Sequence, residues 1–172
     1  MEELFFGTAG TPLSAKSPST VSGIERVAEL GLGCMEMQFV RGVKMGEETA
    51  ALVGQVARSK GILLTAHAPY FINLNAHERD KISASQKRIL QAAHIASICG
   101  AKGIVFHAAF YLGDSPNEVY KTVREHLKEM LKEFRREGNR VLLRPEVTGK
   151  GTQFGTLEEV LNLSAELEGV AP

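Results

Sequence analysis

Short apolar runs alternate with longer amphipathic segments along the chain. The runs are LFFGTA (4–9), CMEMQFV (34–40), ILLTAHA (62–68), GIVFHAA (103–109) and VLLRPEV (141–147). Following them in turn are TVSGIERVAELG, EETAALVGQVARSKG, SASQKRILQAAHIASICG, NEVYKTVREHLKEMLKEFRREG and TLEEVLNLSAELEG, whose apolar residues recur at helical spacing. Gly31, Gly61, Gly100 and Gly138 each follow a helical stretch as stop signals, and Ser or Thr precedes several as an N-cap. Strand and helix alternating through short connections predicts parallel strands with right-handed crossovers. The period of roughly 30 to 40 residues is that of a βα unit.

About five such units fit, and the chain ends at LEGVAP after the fifth helix. An open doubly wound sheet could be complete at 172 residues. A (β/α)8 barrel needs eight units and ~250 residues. Length therefore favours the open sheet unless the chain is part of something longer. No linker or low-complexity tract divides it, so it is expected to form one domain over residues 1–172, or a piece of one.

Composition narrows the function only slightly. Lys plus Arg and Asp plus Glu number 20 each, so broad adhesion to nucleic acid or membranes is not expected, although a local basic patch stays open. Cys34 and Cys99 lie far apart in apolar surroundings without zinc-type spacing, and read as reduced core thiols of a cytoplasmic protein. No signal peptide is evident in MEELFFGTAG, and no run reaches the ~18 apolar residues of a membrane span.

Three residues stand in equivalent places. His67 ends the third apolar run, His107 the fourth and Glu146 the fifth, separated by 40 and 39 residues, one βα repeat each. Neighbouring parallel strands lie ~4.8 Å apart, so equivalent positions on consecutive strands can point at one spot. Two imidazoles and a carboxylate match the donor set of a catalytic zinc site that leaves a coordination position open. They also fall at the C-terminal strand ends, where barrels and open sheets collect their active sites. Taken singly, each histidine could be a hydrogen-bonded strand-end residue, and Glu146 could pair with Arg144. His94 and His126 lie within helices and His77 in a loop, so all three read as packing or surface residues. GLG (31–33) precedes a strand and is a helix exit, GTAG (7–10) is a weak phosphate signal, and GKGT (149–152) is not a P-loop.

HAPYFINL, beginning at His67, closely resembles the first signature of the endonuclease IV family of apurinic/apyrimidinic endonucleases. VFHAA is similar to the segment carrying that family's next metal histidine, and RPEVTGKGTQFGTLEEVL resembles its glutamate strand, Gly-rich loop and helix. The resemblance spans essentially the whole chain. It implies a (β/α)8 barrel, of which this chain is the N-terminal part with about five of eight units. It also implies a DNA-repair endonuclease that cleaves 5′ to abasic sites with up to three zinc ions. By the same resemblance His67 and His107 are ligands of one zinc, and Glu146 bridges that zinc to a second. Tyr70 enters the DNA at the lesion, Phe71 is its apolar neighbour, and Asn73 braces the loop.

Departures set limits. The family's remaining ligands lie on strands six to eight, so this chain supplies one full three-ligand site. EVTGKG is one residue tighter than the bacterial form, and FFGTAG lacks an early histidine. An isolated partial barrel should expose its edge strands and an apolar inner face, and so self-associate and be inactive or nearly so. Two other readings stay open: a metal-dependent sugar isomerase or epimerase on the same barrel, with Tyr70 and Phe71 folded over a small pocket, and a non-catalytic metal- or partner-binding chain.

Overall fold

In the computed structural model, which describes residues 4–172, strands and helices alternate as the periodicity predicts. β1 (Gly7–Ala9), β2 (Cys34–Gln38), β3 (Leu63–His67), β4 (Gly103–Phe106) and β5 (Leu142–Pro145) form one sheet. α1 (Thr20–Glu29), α2 (Glu47–Lys60), α3 (Arg79–Ile98), α4 (Pro116–Glu137) and α5 (Leu157–Glu166) follow them in turn. Every strand pair is parallel and the order is β1-β2-β3-β4-β5. That sequential order excludes the doubly wound sheet that length alone favours, since a doubly wound sheet reverses direction at its first strand. The molecule has the architecture of five consecutive units of a TIM-type barrel.

Local chemistry explains the helix ends. Ser115 and Thr156 cap α4 and α5 in reciprocal capping boxes with Glu118 and Glu159, and Ser19 caps α1. The four stop glycines at 31, 61, 100 and 138 all have φ between 67° and 75°, a left-handed conformation that a Cβ disfavours.

The strands alternate between two unlike faces. Met35, Met37, Leu64, Ala66, Ile104, Phe106 and Leu143 are buried in one core with helix residues such as Ile24, Val53, Ile89, Val123 and Leu127. The alternate residues, Cys34, Glu36, Leu63, Thr65, Val105, Leu142 and Arg144, are only half-buried. This second face is the concave, barrel-interior side. It is not the purely apolar surface expected from the sequence, because Glu36, Thr65 and Arg144 stand among its aliphatic residues and Gln38 is exposed at its end. Arg144 lies flat across β4, and a Cβ at Gly103 would come within 2.6 Å of its Nε. The outer edge of β5 is not bare either: Leu143 pairs in parallel with Val170, through Leu143 N–H to Gly169 O and Ala171 N–H to Leu143 O. No helix of the described residues is long and apolar enough to cross a membrane.

Candidate metal centre

The strands end just before the chemistry begins. His67 is the last residue of β3, whereas His107 and Glu146 each stand one residue beyond β4 and β5. In the ladder His67 is level with Val105, which is level with Arg144. His107 and Glu146 are thus level with each other and two residues above His67, about 6.6 Å along the strand at about 3.3 Å per residue. A shift of two preserves the face, so all three side chains project from the concave side.

Curvature closes the remaining gap. β3 and β5 are two strands apart, about 9.6 Å on a flat sheet. Even so, Glu146 Oε2 lies 3.2 Å from His67 Nε2 and 3.3 Å from His107 Nδ1. One ligand atom from each residue falls within 4.8 Å of the others, the only such group of three or more metal-ligating side chains among the described residues. Donors bound tetrahedrally at about 2.1 Å stand about 3.4 Å apart, so the cluster has the dimensions of a metal's ligand set.

The hydrogen bonds also argue for a cation between these groups. His67 Nδ1 lies 2.7 Å from the Ala68 carbonyl oxygen, which can only accept, so Nδ1 carries a proton. The neutral ring then turns a bare Nε2 lone pair toward a carboxylate oxygen at 3.2 Å. Two lone pairs facing at that distance need a cation between them, either a proton or a metal. Fixing one imidazole nitrogen on a backbone carbonyl is also how ligand histidines are oriented. This positioning by Ala68 has no signature in the sequence.

Tyr70 stands against the cluster, its ring centroid 5.6 Å from that of His67 and 6.1 Å from that of His107. It is nevertheless 54% exposed, and Phe71 beside it 75%. The Tyr70 amide donates to Val40 O in the β2–α2 loop, one residue before the exposed Arg41, which the sequence did not single out.

Asn73 Oδ1 accepts from the amides of Asn75 and Phe110, at 3.0 and 3.2 Å. Asn75, nearly buried, donates through its amide nitrogen to Phe110 O, Tyr111 O and the Asp114 carboxylate. Bonds from His77 and Asn75 hold the Asp114 carboxyl below its ordinary pKa. The β3–α3 and β4–α4 loops are thereby stitched together. His77, His94 and His126 pair with Asp114, Glu47 and Gln86 respectively, outside the cluster. Arg144 does not pair with Glu146; its guanidinium donates to the Pro172 carbonyl.

A parallel (β/α) unit array with a histidine–histidine–carboxylate cluster at its C-terminal strand ends defines the class: a TIM-barrel-type protein with a candidate metal centre. Residues 24–170 match the family model for the xylose isomerase-like TIM barrel, and the chain belongs to that family. An uncharacterized protein of Methanocaldococcus jannaschii is 40% identical over 95% of this chain and 58% of its own length. A probable endonuclease 4 of Symbiobacterium thermophilum is 29% identical over 80% of this chain and 52% of its own. The chain thus spans a little over half the length of these curated relatives.

Among solved structures, D-psicose 3-epimerase from Clostridium cellulolyticum superposes with a TM-score of 0.74 at 14% identity, covering 96% of this chain and 62% of that one. Endonuclease IV from Thermus thermophilus gives 0.67 at 21%, covering 92% and 59%. At these identities the superpositions establish the shared fold, and both chemistries occur on it.

Proposed function

We propose that this chain is the N-terminal portion of a (β/α)8 endonuclease of DNA repair, one that cleaves the phosphodiester 5′ to abasic sites. In this reading His67, His107 and Glu146 would hold a zinc ion, and Glu146 would also serve a second one. A bound zinc supplies Lewis acidity for activating water and neutralising charge on the phosphate. The protein's own contribution is positional. The Ala68 carbonyl holds the His67 ring, and Asn73 with Asn75 locks to each other the two loops that follow the histidines.

The observation that carries the choice of substrate is the exposure of Tyr70 and Phe71. A sugar-binding enzyme gains by folding such rings over a closed pocket, because burying most of a small ligand is how it binds it. Here the rings are 54% and 75% exposed and line an open cavity of about 540 Å³ together with Asn73 and Phe110, where they can stack on bases exposed at a lesion. The likeness to proteins named probable endonuclease 4 supports the same reading.

The test is a duplex carrying one abasic analogue, incubated with the full-length protein. Cleavage on the 5′ side that is abolished by chelator and restored by zinc is the expected result. A protein that leaves abasic DNA intact and interconverts ketose epimers in a metal-dependent way would replace this reading with the epimerase one. Metal binding without either activity would leave a non-catalytic binding chain.

A further inference from the structure

The β4–α4 loop carries a side chain for which the metal centre has no use. The Asp114 amide donates to Tyr111 O at 2.9 Å, closing a turn whose central residues, Leu112 and Gly113, have φ of 54° and 93°. Two successive positive φ values are the signature of a type I′ turn, where Asn, Asp and Gly prevail because a larger residue crowds its own carbonyl. Leu112 is the only non-glycine residue with positive φ among the described residues. Burial gives nothing back, for Leu112 is 52% exposed. A leucine that is both strained and solvated disfavours the fold twice, and strain of this kind gathers where function requires it.

The turn is mounted rigidly. On one side Asn75 binds Phe110 O and Tyr111 O, tying it to the loop of Tyr70 and Phe71. On the other side Tyr111 N–H donates to Thr152 O, and Phe110 bridges to Gln153 in antiparallel fashion. The Tyr111 hydroxyl is anchored on the Glu159 carboxylate. Lys150 shares a cavity of about 610 Å³ with Tyr111 and Asp114, which sets a cation beside the turn. The result is an apolar tip on a braced base, five residues beyond His107, with the Lys150 ammonium and the Asp114 carboxylate both lining the cavity at its flank.

We propose that Leu112 is a second wedge against substrate, separate from the Tyr70–Phe71 pair, packing into the base stack of duplex DNA beside the lesion while Lys150 meets a flanking phosphate. Apolar side chains inserted at base steps unstack them and hold the duplex bent, a role for which a tip carried on a backbone braced from both sides is suited. The inference rests on the abasic-DNA reading above.

Leu112→Asn in the full-length protein separates strain from contact, because Asn tolerates the left-handed conformation. Its Tm should rise by about 2–4 °C, while Kd for an abasic duplex weakens about 10-fold. The change in 2-aminopurine fluorescence, with the probe placed beside the lesion, should shrink with it. Zinc affinity should stay at the wild-type value, because the cluster of His67, His107 and Glu146 is untouched. Leu112→Met, which keeps an apolar tip, should retain wild-type affinity and fluorescence change. A Leu112→Asn variant with wild-type Kd and wild-type 2-aminopurine response overturns the wedge and leaves the proposed function standing. The same DNA behaviour coupled to loss of self-association would assign the leucine to a protein contact instead. If the wild-type protein binds no abasic duplex, the functional reading falls, and the wedge with it.

Discussion

The two faces of the sheet are built from the same strands and obey different rules. On the helix side, Met35, Leu64, Ile104, Phe106 and Leu143 are nearly or fully buried. On the concave side, Glu36, Thr65, Val105 and Arg144 are half-buried, and their continuation at the strand ends becomes His67, His107 and Glu146. A packed face tolerates no loss of volume, because its neighbours relax only partly into a cavity. The concave face holds polar side chains without a comparable penalty, which is what allows two imidazoles and a carboxylate to meet there. Stability and chemistry are thus separated by the alternation of side chains along each strand, and substitutions on the two faces should separate them experimentally.

The largest effect is expected from Phe106→Ala, one residue before His107 and facing the opposite way. It should cost about 3–5 kcal/mol of stability, read as a lower urea midpoint, while the fraction still folded binds metal as the wild type does. Equal loss of metal affinity in the folded fraction would mean that the faces are not independent.

Glu146→Gln is the mirror experiment. Zinc affinity should fall about 100-fold, since a neutral amide is a weak ligand between two imidazoles, while the urea midpoint of the metal-free protein stays nearly unchanged. Calorimetric titration with zinc beside a denaturation curve checks both halves. Metal affinity of the wild type should itself drop on acidification, as protons compete for the imidazole nitrogens.

The cysteines extend the contrast to reactivity. Cys34 lies half-buried on the concave face; Cys99, the C-cap of α3, is 2% exposed, and burial raises its thiol to a pKa of about 11 from 9.0. At pH 8 its thiolate fraction is about 100-fold below that of an ordinary thiol, so thiol reagents should modify Cys34 first and Cys99 only on unfolding. The linkage has a definite sign. Below pH 9 the Cys99 thiol is protonated in both states. Between pH 9 and about 11 the unfolded chain releases the proton and the native state keeps it, so stability falls as pH rises through that window. Equal modification rates for the two thiols in the native protein would contradict the burial assigned here.

The smallest effect belongs to Thr65→Val, in the middle of the concave face. It should change stability by no more than about 0.5 kcal/mol, since no core packing is altered there. A loss several times larger would show the concave face to be as tightly packed as the other.

Much of this was legible in the sequence because periodicity reports burial directly. The element order, the parallel connections and the helix-stop glycines at 31, 61, 100 and 138 follow from local sterics and hydrophobic spacing, which need no knowledge of distant contacts. The phase of His67, His107 and Glu146 was legible for the same reason, being a count of residues per βα unit. The chain's membership of its barrel family could be read from the motifs that carry those residues.

Only the tertiary structure decided how those positions meet. Strand order is a matter of which neighbours pair, and both a doubly wound sheet and a barrel satisfy the same periodicity, so length pointed to the wrong one. The two-residue offset of His67 in the ladder, and the sheet curvature that brings Glu146 across two strands to meet it, depend on register and twist summed over five strands. The Nδ1 bond to Ala68, which turns the His67 Nε2 toward Glu146, depends on a carbonyl whose direction no side-chain pattern encodes. The exposure of Tyr70 and Phe71 and the positive φ of Leu112 belong with these. Each follows from how three loops are stitched to one another by Asn73, Asn75 and Thr152, and hydrogen bonds between residues 35 to 41 positions apart leave no mark on local periodicity.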